Sequence, residues 1–297
     1  MKMNRLLAAL IACSLLGTTL LKASVLPQQG GAQTAAAPTL LKAADQELTA
    51  DGVTLRYRDV GTGDAVVLIH GYSAALESMA GIAGALPQYR TVALDVRGFG
   101  RSSKFAEPEK FGRLIVDDVV RLMDHLKIAR AHVLGHSMGA LIAANVAARY
   151  PDRVTSATLV AGPFYADEAT FTHETQRWVT DLESGAGLKN FMLWLFPAFK
   201  PEMAAGVNAQ VMKTNDLPSL IAVMRSLPKI TIAGLPKNGD KVLLVAGTSD
   251  PLFPLSPAFA KQSPGARIVE IAGADHVSVI TNAQAVTAIR ERLSKSN

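Results

Sequence analysis

The sequence predicts an α/β fold, a mostly parallel central sheet flanked by helices, with an inserted helical cap. From Glu47 onward short apolar runs alternate with helix-length stretches, the pattern of strands buried on both faces and joined by crossover helices. Most of the runs end in Gly, Asp or His, which collects polar residues at the strand ends where open sheets of this kind carry their sites. Between Gly162 and Asn238 the alternation stops, and helix-like segments rich in Phe, Met and Leu take its place.

At the start of the chain, Lys2 and Arg5 precede an apolar run from Leu6 to Leu21, the charged beginning and hydrophobic centre of an export signal. The run is shorter than the about 20 residues that a membrane span requires. The signal is assigned to residues 1–23, with cleavage open as far as Ala37 because Ala32 and Ala37 also follow small residues. An exported protein, periplasmic or secreted, is expected, or an envelope-anchored one if the signal is retained. Cys13 is the only cysteine. Too few apolar residues precede it for a lipid-attachment box, so the mature chain is expected to carry no thiol and no disulfide. Residues 24–46, rich in Ala, Gln, Gly and Pro without apolar period, read as a flexible tether.

The folded body is then residues 47–162 and 239–297, with the cap at 163–238. Val53 to Val60 reads as an edge strand, followed by strands at Ala65 to Ile69, Thr91 to Leu94, Ala131 to Leu134, Val154 to Val160, Val242 to Ala246 and Arg267 to Ile271. Helices are expected at Leu76 to Leu86, Gly112 to Leu126, Met138 to Tyr150, where Pro151 stops the pattern, and Asn282 to Leu293.

A hydrophobic content of 49% with 2 Trp, 5 Tyr and 10 Phe excludes wholesale disorder. The formal charge is +5, from 30 basic and 25 acidic residues, and loss of Lys2, Arg5 and Lys22 with the signal lowers it to +2. Nucleic acid is therefore not an expected partner. Membrane contact is expected only through an uncleaved signal or a lipid substrate.

Gly135-His136-Ser137-Met138-Gly139 follows an apolar strand and opens an alanine-rich helix, the context in which G-x-S-x-G is a nucleophile elbow. A serine on so sharp a turn must take a strained backbone conformation, and Gly135 and Gly139 remove the Cβ atoms that would clash. The helix beginning at Met138 adds free N–H groups and a partial positive charge beside any developing oxyanion.

With this elbow the chain resembles the α/β-hydrolases, from about Glu47 to the C-terminus, the cap being the least similar part. His70-Gly71 after the third run is similar to that family's oxyanion-loop motif, and Asp95-Val-Arg97-Gly98-Phe-Gly100-Arg-Ser102 to its D-x-R-G-x-G-x-S turn. The resemblance implies a nucleophile at Ser137 and a base at His276, in Gly273-Ala-Asp-His276. It places oxyanion N–H donors at Met138 and Tyr72, with His70 and Gly71 as scaffold of the loop. Tyr72's ring is expected at the pocket mouth, its hydroxyl a further candidate contact. Asp250, after the strand Val242 to Ala246, fits the orienting acid and the chain order Ser, Asp, His. Asp275 is the rival, disfavoured because side chains adjacent in sequence rarely converge on one imidazole. Asp95, Arg97 and Ser102 read as braces of their turn. His136 is expected to point away from the nucleophile, and His125, His132 and His173 have no partner motif.

Phe164, Trp178, Phe191, Trp194, Phe196, Phe199, Met203 and Met212 form the cap's own core or line an apolar site; no Arg or Lys cluster there suggests an anionic anchor. The sequence holds no H-E-x-x-H, no paired-cysteine zinc pattern and no phosphate loop, so neither a metal nor a cofactor is expected. The expectation is a serine hydrolase acting through an acyl-enzyme on a small-molecule ester with an apolar portion, a carboxylesterase or lipase, leaning toward medium or longer acyl chains. Hydrolysis of a carbon–carbon bond, thioester hydrolysis and cofactor-free perhydrolysis use the same three residues and stay open; a non-catalytic binding protein is disfavoured by the intact set. Ser137 also argues against the family's epoxide hydrolases and haloalkane dehalogenases, in which the resemblance leads one to expect aspartate.

Overall fold

A computed structural model describes residues 39–227 and 239–295. The export-signal assignment, most of the tether and the last part of the cap lie outside these residues. Eight strands form one sheet: β1 (Gln46–Ala50), β2 (Val53–Val60), β3 (Ala65–Ile69), β4 (Arg90–Leu94), β5 (Ala131–His136), β6 (Val154–Val160), β7 (Val242–Gly247) and β8 (Arg267–Ile271). Their order is β1-β2-β4-β3-β5-β6-β7-β8. β2 runs antiparallel to β1 and β4, and all other pairs are parallel.

Period-two alternation sorts the sheet's side chains between two cores. Val67, Ile69, Val92, Leu94, Val133 and Leu244 face one, with α2 (Arg113–His125) and α3 (Met138–Arg149). Val66, Leu68, Ala93, Leu134, Leu243 and Val245 face the other, with α1 (Ala80–Gly84) and α9 (Ala283–Ser294). Because both faces are covered, Val66 through Ile69 are fully buried, and a continuous apolar run is what such a strand requires.

Between β6 and β7 the chain forms α4 (Glu168–Glu183), α5 (Lys189–Leu195), α6 (Pro201–Thr214) and α7 (Leu217–Ser226), while α8 (Leu255–Lys261) follows β7. Carboxylate caps start two of the inserted helices: Asp167 accepts from Thr170 N at 2.7 Å and Asp216 from Ser219 N at 2.9 Å.

Two expectations are corrected. Val53 to Val60 is not the edge, because β1 pairs outside it through a two-residue Asp51-Gly52 turn with φ of 51° and 75°. Two left-handed residues are what a tight hairpin turn needs, and Asp-Gly supplies them. The tether does not run to 46 either. Leu40 is buried, and the Arg58 guanidinium donates to the Leu40 carbonyl at 3.0 Å and to Asp45 at 2.6 Å, which fastens residues 39–45 to the body. The stretch from Leu76 is a 3₁₀ turn, Leu76–Met79, leading into α1.

The turn after β4 is braced by buried charge. Asp95 accepts from Leu76 N at 2.8 Å, Arg101 N at 2.7 Å and the Arg56 guanidinium at 3.0 Å. Arg97 grips Asp118 of α2 with two bonds of 2.5 Å, both side chains being almost wholly buried. Ser102 Oγ donates to the Asp95 carbonyl at 2.6 Å. Removing one member of such a pair strands the other charge in the interior. Asp118→Ala is expected to destabilise the fold by about 3–5 kcal/mol, read as a lower urea midpoint; an unchanged midpoint would show that Arg97 is solvated some other way.

Candidate active site

β5 ends at His136, and α3 begins at Met138, leaving Ser137 alone on the turn with φ 57° and ψ −122°. A side chain in this left-handed region is strained, at a cost of about 1–3 kcal/mol, and the strain turns the hydroxyl outward. The flanking glycines are steric necessities. A Cβ on Gly135 would lie 1.9 Å from the Gly139 carbonyl oxygen, and one on Gly139 would lie 2.1 Å from the Ile69 carbonyl oxygen at the end of β3.

The loop after β8 brings His276 to this turn, and the loop after β7 brings Asp250. Ser137 Oγ and His276 Nε2 are 2.8 Å apart, and His276 Nδ1 and Asp250 Oδ2 are 2.8 Å apart. A carboxylate can only accept, so Nδ1 carries the imidazole proton and Nε2 turns its lone pair toward the serine hydroxyl. Asp250 is fixed by its other oxygen, which accepts from Leu252 N at 2.9 Å. Asp275 is committed elsewhere: its carboxylate accepts from Val277 N, Ser278 N and Ser278 Oγ.

The loop after β3 lies against the elbow, and a Cβ on Gly71 would sit 3.1 Å from that of Ser137. His70 shapes this loop. Its Nε2 accepts from Val96 N at 3.0 Å, so Nδ1 carries the proton and donates to the Gly71 carbonyl at 2.7 Å. Complete burial holds the ring neutral by pushing its pKa down. Met138 N belongs to the first turn of α3, where no helical carbonyl can reach it. Among the described residues no intramolecular acceptor takes the N–H of Met138 or of Tyr72. The Tyr72 hydroxyl does not face a substrate, because it donates to the Leu220 carbonyl of α7 at 2.7 Å.

His136 makes no hydrogen bond to the Ser137 hydroxyl; its partner is the loop after β8. Its ring lies against His276, centroids 5.0 Å apart, and its Nε2 donates to the His276 carbonyl at 2.7 Å. The motif position beside the nucleophile was visible, but the direction of the side chain is set by the loop after β8, which spacing does not reveal. Of the remaining histidines, His132 bonds Ser156 Oγ at 2.7 Å inside the sheet layer and His125 meets the Tyr57 hydroxyl at 3.2 Å. His173 lies exposed on α4.

Two lobes, of about 50 and about 130 Å³, open on Ser137, His276 and Tyr72. The smaller is walled by Trp178, Phe191, Trp194, Tyr165 and Phe171. The larger is walled by Met192, Phe196, Val207, Val211 and Ile280, with His136 and Ser73 in its lining. The cap's aromatic residues therefore divide: several line the site, whereas Phe164 stacks on Phe259 at 4.1 Å in its support. A wider groove of about 460 Å³, lined by Arg56, Arg58 and Arg101, does not reach Ser137. Among the described residues no group of three or more His, Cys, Asp or Glu is arranged to hold a metal ion.

These features define a hydrolase-type α/β architecture with a hydrogen-bonded serine, histidine and aspartate at its strand ends, and the family comparisons agree. The sequence profile of the alpha/beta hydrolase fold matches residues 64–283, so the chain belongs to that family. It is 30% identical over 271 residues to a dihydrolipoyllysine-residue acetyltransferase component of an acetoin cleaving system from Pseudomonas putida, covering 87% of this chain and 70% of that protein. An epoxide hydrolase from Caballeronia sordidicola is 33% identical over 138 residues, 45% of this chain and 41% of that enzyme. Among solved structures, the enol-lactonase from Burkholderia xenovorans is similar with a TM-score of 0.67 at 23% identity, covering 84% of this chain and all of that one.

Burial pushes the pKa of His132 and His136 down to about 4 and lowers that of His70 as well. Their folded pKa values lie below the unfolded value of about 6.5, so the unfolded chain binds more protons between these limits. Stability is expected to be full above about pH 6.5 and to decline toward about pH 4, measured as urea midpoints across that range. His132→Leu should flatten part of the slope, and an identical slope in that variant would refute the assignment.

Proposed function

We propose that the protein is a serine hydrolase that cleaves neutral carboxylic esters through an acyl-enzyme at Ser137. The single observation that carries this reading is the continuous relay from Ser137 Oγ through His276 to Asp250, with both bonds at 2.8 Å, at the meeting point of two apolar lobes. As Oγ attacks the ester carbonyl carbon, its proton passes to His276 Nε2, and Asp250 stabilises the imidazolium. The N–H groups of Tyr72 and Met138 receive the oxyanion, each worth about 3–4 kcal/mol of barrier. His276 returns the proton to the departing alcohol oxygen. Water then attacks the acyl carbon, giving its proton to His276 Nε2, which passes it to Ser137 Oγ as the tetrahedral intermediate collapses and the carboxylic acid is released.

Lobe size and chemistry narrow the substrate. Neither lobe is lined by a Lys, Arg, Asp or Glu side chain, which favours uncharged groups on both sides of the ester. A cavity of roughly 150 Å³ admits benzene, so about 130 Å³ suits a group of that size and about 50 Å³ only a short chain. This favours short acyl or alcohol portions over the medium or longer chains the sequence suggested. Export to the periplasm or medium remains part of the proposal on the strength of residues 1–23, and N-terminal sequencing of the mature protein tests it.

A p-nitrophenyl ester series from acetate upward is expected to show turnover that falls as the acyl chain outgrows the lobes. Ser137→Ala should lower kcat by about a million-fold, and a fluorophosphonate should label the parent only at Ser137. No hydrolysis and no labelling would overturn the reading. A thioester in the same panel tests the thioester alternative and an epoxide the chemistry named in one of the relatives; no turnover of the epoxide is expected, because attack by Ser137 would leave an ether that water cannot cleave, whereas a carboxylate nucleophile leaves an ester.

A further inference from the structure

We propose that His136 is a positioning residue that fixes the loop bearing the base to the turn bearing the nucleophile, by donating its Nε2–H to the His276 carbonyl. This rests on the reading of Ser137 and His276 as nucleophile and base.

The two side chains lie 139 residues apart in the chain, and the loop that carries His276 is seated in the core by Ala274, Val279 and Ile280 and fastened by hydrogen bonds. Its outer part is self-contained, since the Asp275 carboxylate gathers the N–H groups of Val277 and Ser278, and Asp275 N turns to Ser278 Oγ. Its rear is fastened to the loop after β7, where Ser249 N donates to the Ala274 carbonyl at 3.0 Å and Gly273 N to Thr248 Oγ1 at 2.9 Å. Neither set reaches the elbow. The His136 bond, at 2.7 Å, does, and it grips the backbone of His276 itself while its own backbone is the neighbour of Ser137. Ring contact at 5.0 Å adds a second restraint on the imidazole plane.

A backbone carbonyl offers only lone pairs, so His136 Nε2 must bear hydrogen, and the neutral tautomer then leaves Nδ1 without one. Neutrality matters for the chemistry. A lysine or arginine in this place could supply a donor, but its charge would stand a few ångströms from the imidazolium that forms on His276 and oppose it. Desolvation and the neighbouring imidazole both keep His136 uncharged. A hydrogen bond that holds the carbonyl without adding charge preserves the near-attack spacing, for which a displacement of about 1 Å costs roughly a hundred-fold in rate.

Three measurements test this. In the unaltered protein near pH 7, nitrogen NMR should show His136 as the neutral Nε2–H tautomer; an Nδ1–H tautomer or a protonated ring overturns the proposal, whatever the enzyme's activity. His136→Phe, which keeps a ring and removes the donor, should lower kcat and the rate of fluorophosphonate labelling at Ser137 by about ten- to a hundred-fold with KM within two-fold. His136→Gln, which restores a neutral N–H, should recover most of that loss. Unchanged rates in the phenylalanine variant overturn the proposal, as do equal losses in both variants accompanied by a raised KM, which would mark His136 as a wall of the larger lobe. If the phenylalanine variant does not fold, the glutamine variant decides: near-parent kcat supports the proposal and a hundred-fold loss overturns it. Failure of the parent to react with ester or fluorophosphonate would instead refute the hydrolase reading and leave the tautomer measurement standing.

Discussion

Every feature of the site depends on the absence of two methyl-sized groups at the end of β5. Gly139 lets α3 approach the carbonyl of Ile69 so closely that a Cβ would overlap it at 2.1 Å, and Gly135 lets the first turn of the same helix fold back over the strand. That contact places three things side by side: the strained serine, the open N-terminal turn of the helix and the loop that follows β3. The strain at Ser137, of the order of 1–3 kcal/mol, is sustained because β5 from Ala131 to Gly135 and α3 from Met138 to Ala147 are buried on either side.

Around this point the structure uses buried polar groups as fixed struts. Asp95 gathers two backbone N–H groups and a guanidinium at the end of β4, and the next turn leaves no room for a Cβ on Gly100, which would lie 2.1 Å from the carboxylate. His70 then ties the neighbouring loop to Val96. In both cases a buried polar side chain is satisfied by backbone groups that would otherwise be orphaned, so removing it costs more than one bond. The loop beside Ser137 is thus held by groups that cannot drift individually.

The sheet and the residues of the proposed relay are legible because they obey strong local rules. Continuous apolar runs such as Ala65 to Ile69 can only be satisfied with both faces covered, and the elbow motif demands strand before and helix after. The hairpin partner β1 is obscured because none of its residues is fully buried and only Leu48 and Ala50 are half-buried, although Asp51-Gly52 carries the turn signal. The docking of residues 39–45 was hidden for a different reason. Leu40 and Asp45 are held by Arg58, and the composition of an Ala-rich stretch does not disclose a cation waiting thirteen or more residues downstream. The partner of His136 is not legible in the sequence because it is a main-chain carbonyl 140 residues away, and main-chain groups leave no mark in residue identity.

The cap is stitched to the rest of the molecule by side chains that also belong to the catalytic neighbourhood. The Tyr72 hydroxyl rests on the Leu220 carbonyl at 2.7 Å, Asn215 Nδ2 donates to the Ser73 carbonyl at 3.2 Å, and Ser219 Oγ exchanges bonds with the backbone of Phe105. Tyr72 and Ser73 are the residues immediately beyond Gly71. Lid and proposed catalytic centre are consequently not interchangeable parts: a transplanted lid lacking acceptors or donors at these stitches would release the segment that carries Tyr72 N–H, which has no acceptor among the described residues, even though serine, histidine and aspartate had not been touched.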